Sequence, residues 1–218
     1  LAVLSHSLLT PLTPVLLTTS LLQENHSLPA EVQDDVQTIR RHVELEARLI
    51  DDMLDLTRIT RGKLQLHFEP ADSHKIIKDA IKICLSDRME DVTIALAAKD
   101  YYVRADPGRL TQVFWNLLSN ARKFTPQGSK ILVRSENPAP GRIRIQVIDS
   151  GIGIDPKALP RIFNAFDQVD SAVARRVGGL GLGLTIAKAL VDAHGGTLVA
   201  SSEGPGTGST LTVELNTL

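Results

Sequence analysis

The stretch from Ile145 to Ile154, reading I-Q-V-I-D-S-G-I-G-I, constrains this chain more than any other. Ile145, Val147 and Ile148 predict a buried strand that runs into Asp149 and then into Gly151 and Gly153, which strip side chains from the following turn. An acid there faces bare backbone. The pair suits a flat purine, because a carboxylate accepts a hydrogen bond from an exocyclic amino group while glycine lets the ring or phosphates come close. An Asp-Gly hairpin turn is the plainer alternative. Three other stretches bear on that choice: an Asn-x-x-x-Asn before it, a glycine ladder after it, and a lone histidine in a helical pattern at the start.

Two apolar stripes open the chain. Leu4, Leu8, Val15 and Leu22 fall near one helical face, and Val32, Val36, Ile39, Val43, Ile50 and Met53 follow a heptad, with Asn25 to Pro29 as the turn between. A hairpin of two such helices buries little by itself, so a second copy completing a four-helix bundle is expected, and with it a homodimer. Pro11 and Pro14 fall inside the first helix and predict a bend. His6 and Thr10 share a face turned away from the stripe, which exposes the histidine.

After Gly62 the pattern changes. Leu64, Leu66 and Phe68 alternate with polar residues as a half-buried strand does, so the domain boundary is placed at 62/63: residues 1–62 form the helical hairpin and 63–218 a second domain. In the latter, Asp72 or Ser73 caps a helix over Ile76 to Leu85, strands follow at 93–97 and 102–105, and Asp106-Pro107 opens a helix carrying Val113, Leu117 and Leu118. Strands at 131–135 and 143–149 come next. Asp155-Pro156 predicts a short helix ending at Phe163, and 167–177 a loop. A helix over 184–194 stops at Gly195-Gly196, and strands at 197–202 and 210–215 finish the chain. The fold class is α+β, the second domain an α/β sandwich with mostly hairpin connections and helices on one sheet face.

Composition narrows the function. A net charge of −1 over 218 residues gives no electrostatic case for nucleic acid or an anionic membrane surface. The single cysteine, Cys84, continues the apolar spacing of Ile76, Ile77, Ala80 and Ile81, so it reads as core, and an intrachain disulfide is excluded. No apolar run nears the roughly 20 residues of a spanning helix and no leader opens the sequence, so this segment is expected in the cytoplasm without membrane contact. Its start inside an apolar pattern points to further chain upstream.

Chemistry concentrates at two more places. Asn116 and Asn120 stand one helical turn apart with Lys123 near the same face, and two amides with an ammonium suit a hydrated divalent cation and the phosphates it bridges. Neither position holds Glu, so a base for water is missing, which favours transfer to a side chain over hydrolysis. The run Gly178-Gly179-Leu180-Gly181-Leu182-Gly183-Leu184 leads into a helix and offers bare N–H groups to phosphate. It lacks the Gly-Lys-Ser/Thr of a Walker loop. Arg175 and Arg176, just upstream, are candidates for a phosphate contact.

Taken together, these stretches resemble a known family. His6-Ser7-x-x-Thr10-Pro11-Leu12, Asn116-x-x-x-Asn120-Ala121-x-Lys123-Phe124, Asp149-Ser150-Gly151-x-Gly153-Ile154, Arg161-Ile162-Phe163 with Phe166, and Gly179-x-Gly181-Leu182-Gly183-Leu184 resemble, in order, the H, N, G1, F and G2 boxes of sensor histidine kinases. The resemblance implies a dimerisation and phosphotransfer hairpin followed by a Bergerat-type ATP-binding domain, the fold shared with gyrase and heat-shock ATPases. By the same resemblance His6 is the phosphoacceptor, Asn116 the Mg2+ ligand, Asn120 and Lys123 phosphate contacts, and Asp149 the carboxylate that reads adenine. Gly151, Gly153, Gly179, Gly181, Leu182 and Gly183 would shape the pocket and its lid, with Arg176 reaching a phosphate. The implied cofactors are ATP and Mg2+, and the implied partner is the receiver domain of a response regulator.

The chain departs from the family where it matters most. An acid normally follows the histidine and an arginine stands three after it, whereas this chain has Ser7 and Leu9; Ser150, Asn164 and Ala165 are milder replacements of Thr, Glu and Pro. The acid is thought to accept the imidazole Nδ1 proton, leaving Nε2 as nucleophile. A hydroxyl carries no charge, and losing a charge-assisted bond of roughly 1.5 to 3 kcal/mol slows a reaction about ten- to a hundredfold. Thr10, linked in the family to orienting water for dephosphorylation, is present. Two rival readings follow: a non-catalytic or phosphatase-biased relative, and a free-standing ATPase of the same fold, which Asn116 and the histidine hairpin disfavour.

Overall fold

The computed structural model describes residues 10–25, 27–167 and 180–218, apart from the side chains at positions 45 and 48. The chain divides into two compact units, Leu1–Leu64 and Gln65–Leu218.

In the first unit, α1 (Leu12–Glu24) packs against α2 (Ala30–Thr60). The turn between them is closed by Asn25, whose Oδ1 accepts from the Ser27 N–H at 3.1 Å and from its hydroxyl at 2.6 Å. Arg40 Nη1 donates across the hairpin to Gln23 Oε1, 2.5 Å away. Only part of the predicted heptad is buried within the hairpin, at Val36. Thr19, Val36 and Leu54 are buried, whereas Val15, Leu22, Val32, Ile39 and Met53 are exposed. Among the described residues, Val32, Ile39 and Met53 of the heptad thus leave an apolar face exposed. Pro11 stands at the N-cap of α1 and Pro14 in its first turn, where N–H groups have no intrahelical acceptor, so neither costs this helix a bond; the stretch before them, on which the expected bend depends, lies outside the described residues. Leu4, Leu8, His6 and Ser7 lie outside the described residues.

The second unit is a mixed sheet covered by helices. After β1 (Glu69–Asp72) come α3 (Ser73–Leu85), a tight 3-10 segment (Ser86–Asp91), β2 (Val92–Leu96), β3 (Tyr102–Ala105) and α4 (Pro107–Phe124). Then follow β4 (Ile131–Glu136), β5 (Arg142–Asp149), α5 (Gly183–Ala193), β6 (Thr197–Ser201) and β7 (Ser209–Asn216). The sheet order is β2-β4-β5-β7-β6, with β1 and β3 as a separate antiparallel pair. Caps set the helices as expected: Asp72 accepts from Lys75 N at 2.9 Å and Asp106 from Arg109 N at 3.1 Å, with Pro107 in the first turn of α4. Asp106 also accepts from His67 N, and its backbone N–H donates to His194 Nε2 at the end of α5. The inward side chains of β5, Ile143, Ile145 and Val147, are fully covered, and Asp149 continues their phase. The central strand therefore delivers its terminal carboxylate beneath the helices rather than to solvent.

Three expectations are corrected. The alternation at 64–68 is an extended approach and not a strand; the ladder forms one step later, where Glu69 to Asp72 meet Tyr102 to Ala105. Asp155 accepts from Lys157 N in a local turn, and only Leu159–Arg161 reaches helical form, as a single 3-10 turn, in place of a helix to Phe163. Lastly, β2 pairs β4 in parallel, because α4 lies between them in the chain.

Candidate functional site

Asp149 ends β5 with both carboxylate oxygens engaged. Oδ1 accepts from Gly151 N at 2.9 Å and Oδ2 from the Ser209 hydroxyl at 2.5 Å, so the side chain is fixed while only 8% exposed. The glycines around it are points where motifs touch. A Cβ on Gly151 would lie 2.3 Å from the Phe124 carbonyl oxygen, the atom that also accepts from Ile152 N. On Gly153 it would lie 2.0 Å from the Gly204 carbonyl, and on Gly208 1.9 Å from that of Asp149. No side chain fits at any of the three.

The β6–β7 connection, Gly204 to Gly208, thus forms one wall. Gly206 N donates to Ile152 O (2.7 Å), Gly208 N to Gly151 O (3.2 Å), and Ile154 N to the Ser202 hydroxyl (3.0 Å). Ser209 and this glycine loop were missed in the sequence, although three glycines in five residues were a signal available there.

A second wall is α4. Asn116 is 4% exposed, and its Nδ2 is buried without a hydrogen-bond partner. An unpaired buried amide costs about 1 to 3 kcal/mol, a cost that a polar ligand relieves. Asn120 is half-buried one turn on. Lys123, also half-buried, places Nζ 4.9 Å from the Phe124 ring centre, and burial lowers its pKa from the ordinary lysine value. An ammonium so desolvated gains from an anionic neighbour.

The N-terminus of α5 closes against α4. A Cβ on Gly183 would sit 3.2 Å from Asn116 Oδ1, so the glycine allows that approach. The helix begins without a side-chain cap, and the first N–H groups of a helix, which lack intrahelical acceptors, suit an anion beside the unpaired amide. Leu182 is fully buried and anchors the turn by packing. Gly181, at φ +71°, lies against the Asp167 carbonyl, with 2.9 Å to an added Cβ, which joins the glycine ladder to the segment after Phe163. The structure therefore gathers Asn116, Asp149, Gly151, Gly153, Gly181 and Gly183 around connected elements of one unit. Thr10 is exposed in the other. Arg175, Arg176 and Gly179 lie outside the described residues.

This donor set fits a nucleotide: a fixed acceptor for a base, an unpaired amide, a desolvated ammonium and an uncapped helix. For Mg2+ the fit is a single neutral amide oxygen at Asn116, since among the described residues no cluster of three or more His, Cys, Asp or Glu side chains exists. A cation here would take most of its ligands from phosphates and water, as Mg2+ commonly does.

Comparison with known proteins agrees with this geometry. Residues 105–217, more than half the chain, match the family of histidine kinase-, DNA gyrase B- and HSP90-like ATPases, and residues 1–62 match the His Kinase A phosphoacceptor domain. The chain belongs to the histidine kinases. Among curated histidine kinases, GacS of Pseudomonas protegens is 33% identical over 99% of this chain and 24% of its own length. CikA of Synechococcus elongatus, a circadian input-output histidine kinase, is 38% identical over 98% of this chain and 29% of its own. The chain thus spans about a quarter of the length of these relatives. The solved full-length ShkA, a complex with AMPPNP, superposes with a TM-score of 0.77 at 32% identity, covering all of this chain and 46% of that one.

Proposed function

We propose that this histidine kinase core binds Mg-ATP in its second unit, transfers the γ-phosphoryl to His6, and passes it to an aspartate on a response-regulator receiver domain. Asp149 carries the reading: a buried carboxylate fixed on both oxygens, beside a glycine whose missing Cβ lets the turn pack on the Phe124 carbonyl, suits an adenine amino group. The AMPPNP complex of ShkA supports ATP as the nucleotide. Asn116, Asn120, Lys123 and the first turn of α5 bind and orient the phosphates; Mg-ATP supplies the phosphoryl group and a cation that neutralises phosphate charge. Nε2 of His6 forms the new bond to phosphorus as the bond to the departing ADP oxygen breaks, and positive charge passes to the ring. Ser7 stands where the family's acid would steady that charge.

The His Kinase A match implies dimerisation, and the uncovered face of Val15, Leu22, Val32, Ile39 and Met53 is where a second copy would pack. None of the described helices is long and apolar enough to cross a membrane. The proposed activity, drawing on ATP, belongs in the cytoplasm.

Ser7 favours a second reading, a kinase that binds ATP but no longer labels itself. Incubation with γ-labelled ATP separates the two. The parent should acquire a label lost in acid and stable in alkali, His6→Ala should abolish it, and Ser7→Glu should raise its rate about ten- to a hundredfold. Nucleotide binding without labelling in the parent and in Ser7→Glu would establish the second reading instead.

A further inference from the structure

The irregular segment after α3 holds a buried arginine that the site does not touch. Arg88 is 9% exposed, and its backbone leaves helical geometry at φ −136°, ψ 26°. Nε and Nη2 donate to Asp91 Oδ2 at 3.0 and 2.9 Å. Nη1 donates to the carbonyls of Arg122 (3.2 Å) and Thr125 (3.0 Å), and Nη2 to that of Pro126 (2.8 Å). Asp91 Oδ2 accepts in addition from Gly128 N at 3.2 Å. The hydrogen bond from Arg88 holds the Asp91 carboxyl below its usual range against the opposing effect of burial.

The carbonyls at the end of a helix have no intrahelical donors, and here a planar fork covers the end of α4 and the turn beyond it. Arg122 answers from the other side, donating to Cys84 O at 2.9 Å and to Asp87 Oδ2 at 2.6 Å. A buried ion pair does not by itself stabilise more than well-packed apolar side chains would, so the contribution of this one lies in the geometry it imposes.

That geometry reaches the candidate site in one step. Phe124 lies within the clamped stretch, and its carbonyl is the one that receives Ile152 N at 3.1 Å and excludes any side chain from Gly151. Farther along the same connection, the Lys130 carbonyl accepts from Ser150 N and from its hydroxyl. We propose that Arg88 is a positioning residue for the nucleotide: by fixing the carbonyls of Arg122, Thr125 and Pro126 it sets the Phe124 carbonyl on which the Asp149–Gly151 turn is registered. The proposal rests on the nucleotide-binding reading of that turn.

Titration of the whole chain with ADP by calorimetry, well below each variant's unfolding midpoint, tests it. Arg88→Met should weaken ADP binding about tenfold or more through loss of several charge-assisted bonds, and ATP by the same factor, because the base and not the γ-phosphate is misplaced. Arg88→Lys keeps the charge but cannot span Asp91 and three carbonyls, so an intermediate loss is expected, with faster exchange of the Ile152 amide. Should Arg88→Met fail to fold, Arg88→Lys decides alone. A lowered unfolding midpoint with ADP affinity and Ile152 exchange unchanged would make Arg88 a stabiliser only and overturn the proposal. Failure of the parent to bind ADP would remove the nucleotide reading and the clamp with it, whereas a binding parent with unaffected variants removes only the clamp.

Discussion

The carboxylate of Asp149 is already oriented, because Gly151 N and the Ser209 hydroxyl each hold one oxygen. Preorganisation of this kind removes an ordering cost from binding. Ser209→Ala should therefore weaken ADP binding about tenfold, the effect of losing a hydrogen bond to a charged group. Asp149→Asn should cost about 1 to 3 kcal/mol, since one end of an amide cannot accept. Calorimetry checks both, and unchanged binding in Asp149→Asn would place the base elsewhere. Asp149, Gly151, Gly153 and Asn116 were legible in the sequence because each motif is local: a strand end, a bare turn, a helix face. Ser209 and Arg88 were not, because Asp149 lies 60 residues from the one and the carbonyls held by the other lie 34, 37 and 38 residues away, and no local period marks them.

Elements read well where a side chain caps its own helix, as Asp72 and Asp106 do. They read poorly where alternation had no partner strand: Leu64 and Leu66 are half-covered as predicted, yet the backbone near them bonds to the Asp106 side chain instead of a neighbouring ladder. The parallel pairing of β2 with β4 was likewise invisible, since it depends on the path of α4. At the start of α3, His74 stacks on Tyr101 with ring centres 4.5 Å apart and places Nε2 2.9 Å from the Ser135 hydroxyl, which accepts from Ala98 N. Burial lowers the His74 pKa below the ordinary value of 6.5, with Asp72 opposing and Lys78 assisting. The folded state thus prefers the neutral ring, so this contribution to stability is complete above pH 6.5 and is lost as pH falls through that value toward the folded pKa. Thermal unfolding at pH 7.5 and 5.5 should show a smaller acid-induced loss in His74→Gln than in the parent. An equal loss in both would sink the argument.

Across the whole molecule, the apolar heptad was legible as a stripe, but its destination was not: periodicity marks a face without saying which surface covers it. Within the chain Val36 and Leu54 are covered while Ile39 and Met53 are not. Light scattering at micromolar concentration should report twice the monomer mass, and Ile39→Asp should shift the protein toward monomer by placing a charge in the apolar contact. A monomeric parent would refute the bundle. The second unit carries a different long-range debt. Its Asp149 turn leans on Gly204, Gly206, Gly208 and Ser209, all supplied by the β6–β7 hairpin. During synthesis from the N-terminus, a nascent chain that has emerged only as far as α5 has the acid, its glycines and the Phe124 carbonyl, but not the glycine loop and Ser209 that close the other side. Such non-local closure comes late in folding. On the proposed reading of Asp149, a ribosome-bound chain engages adenine only after β7 has left the exit tunnel, and nucleotide capture then marks a finished sheet.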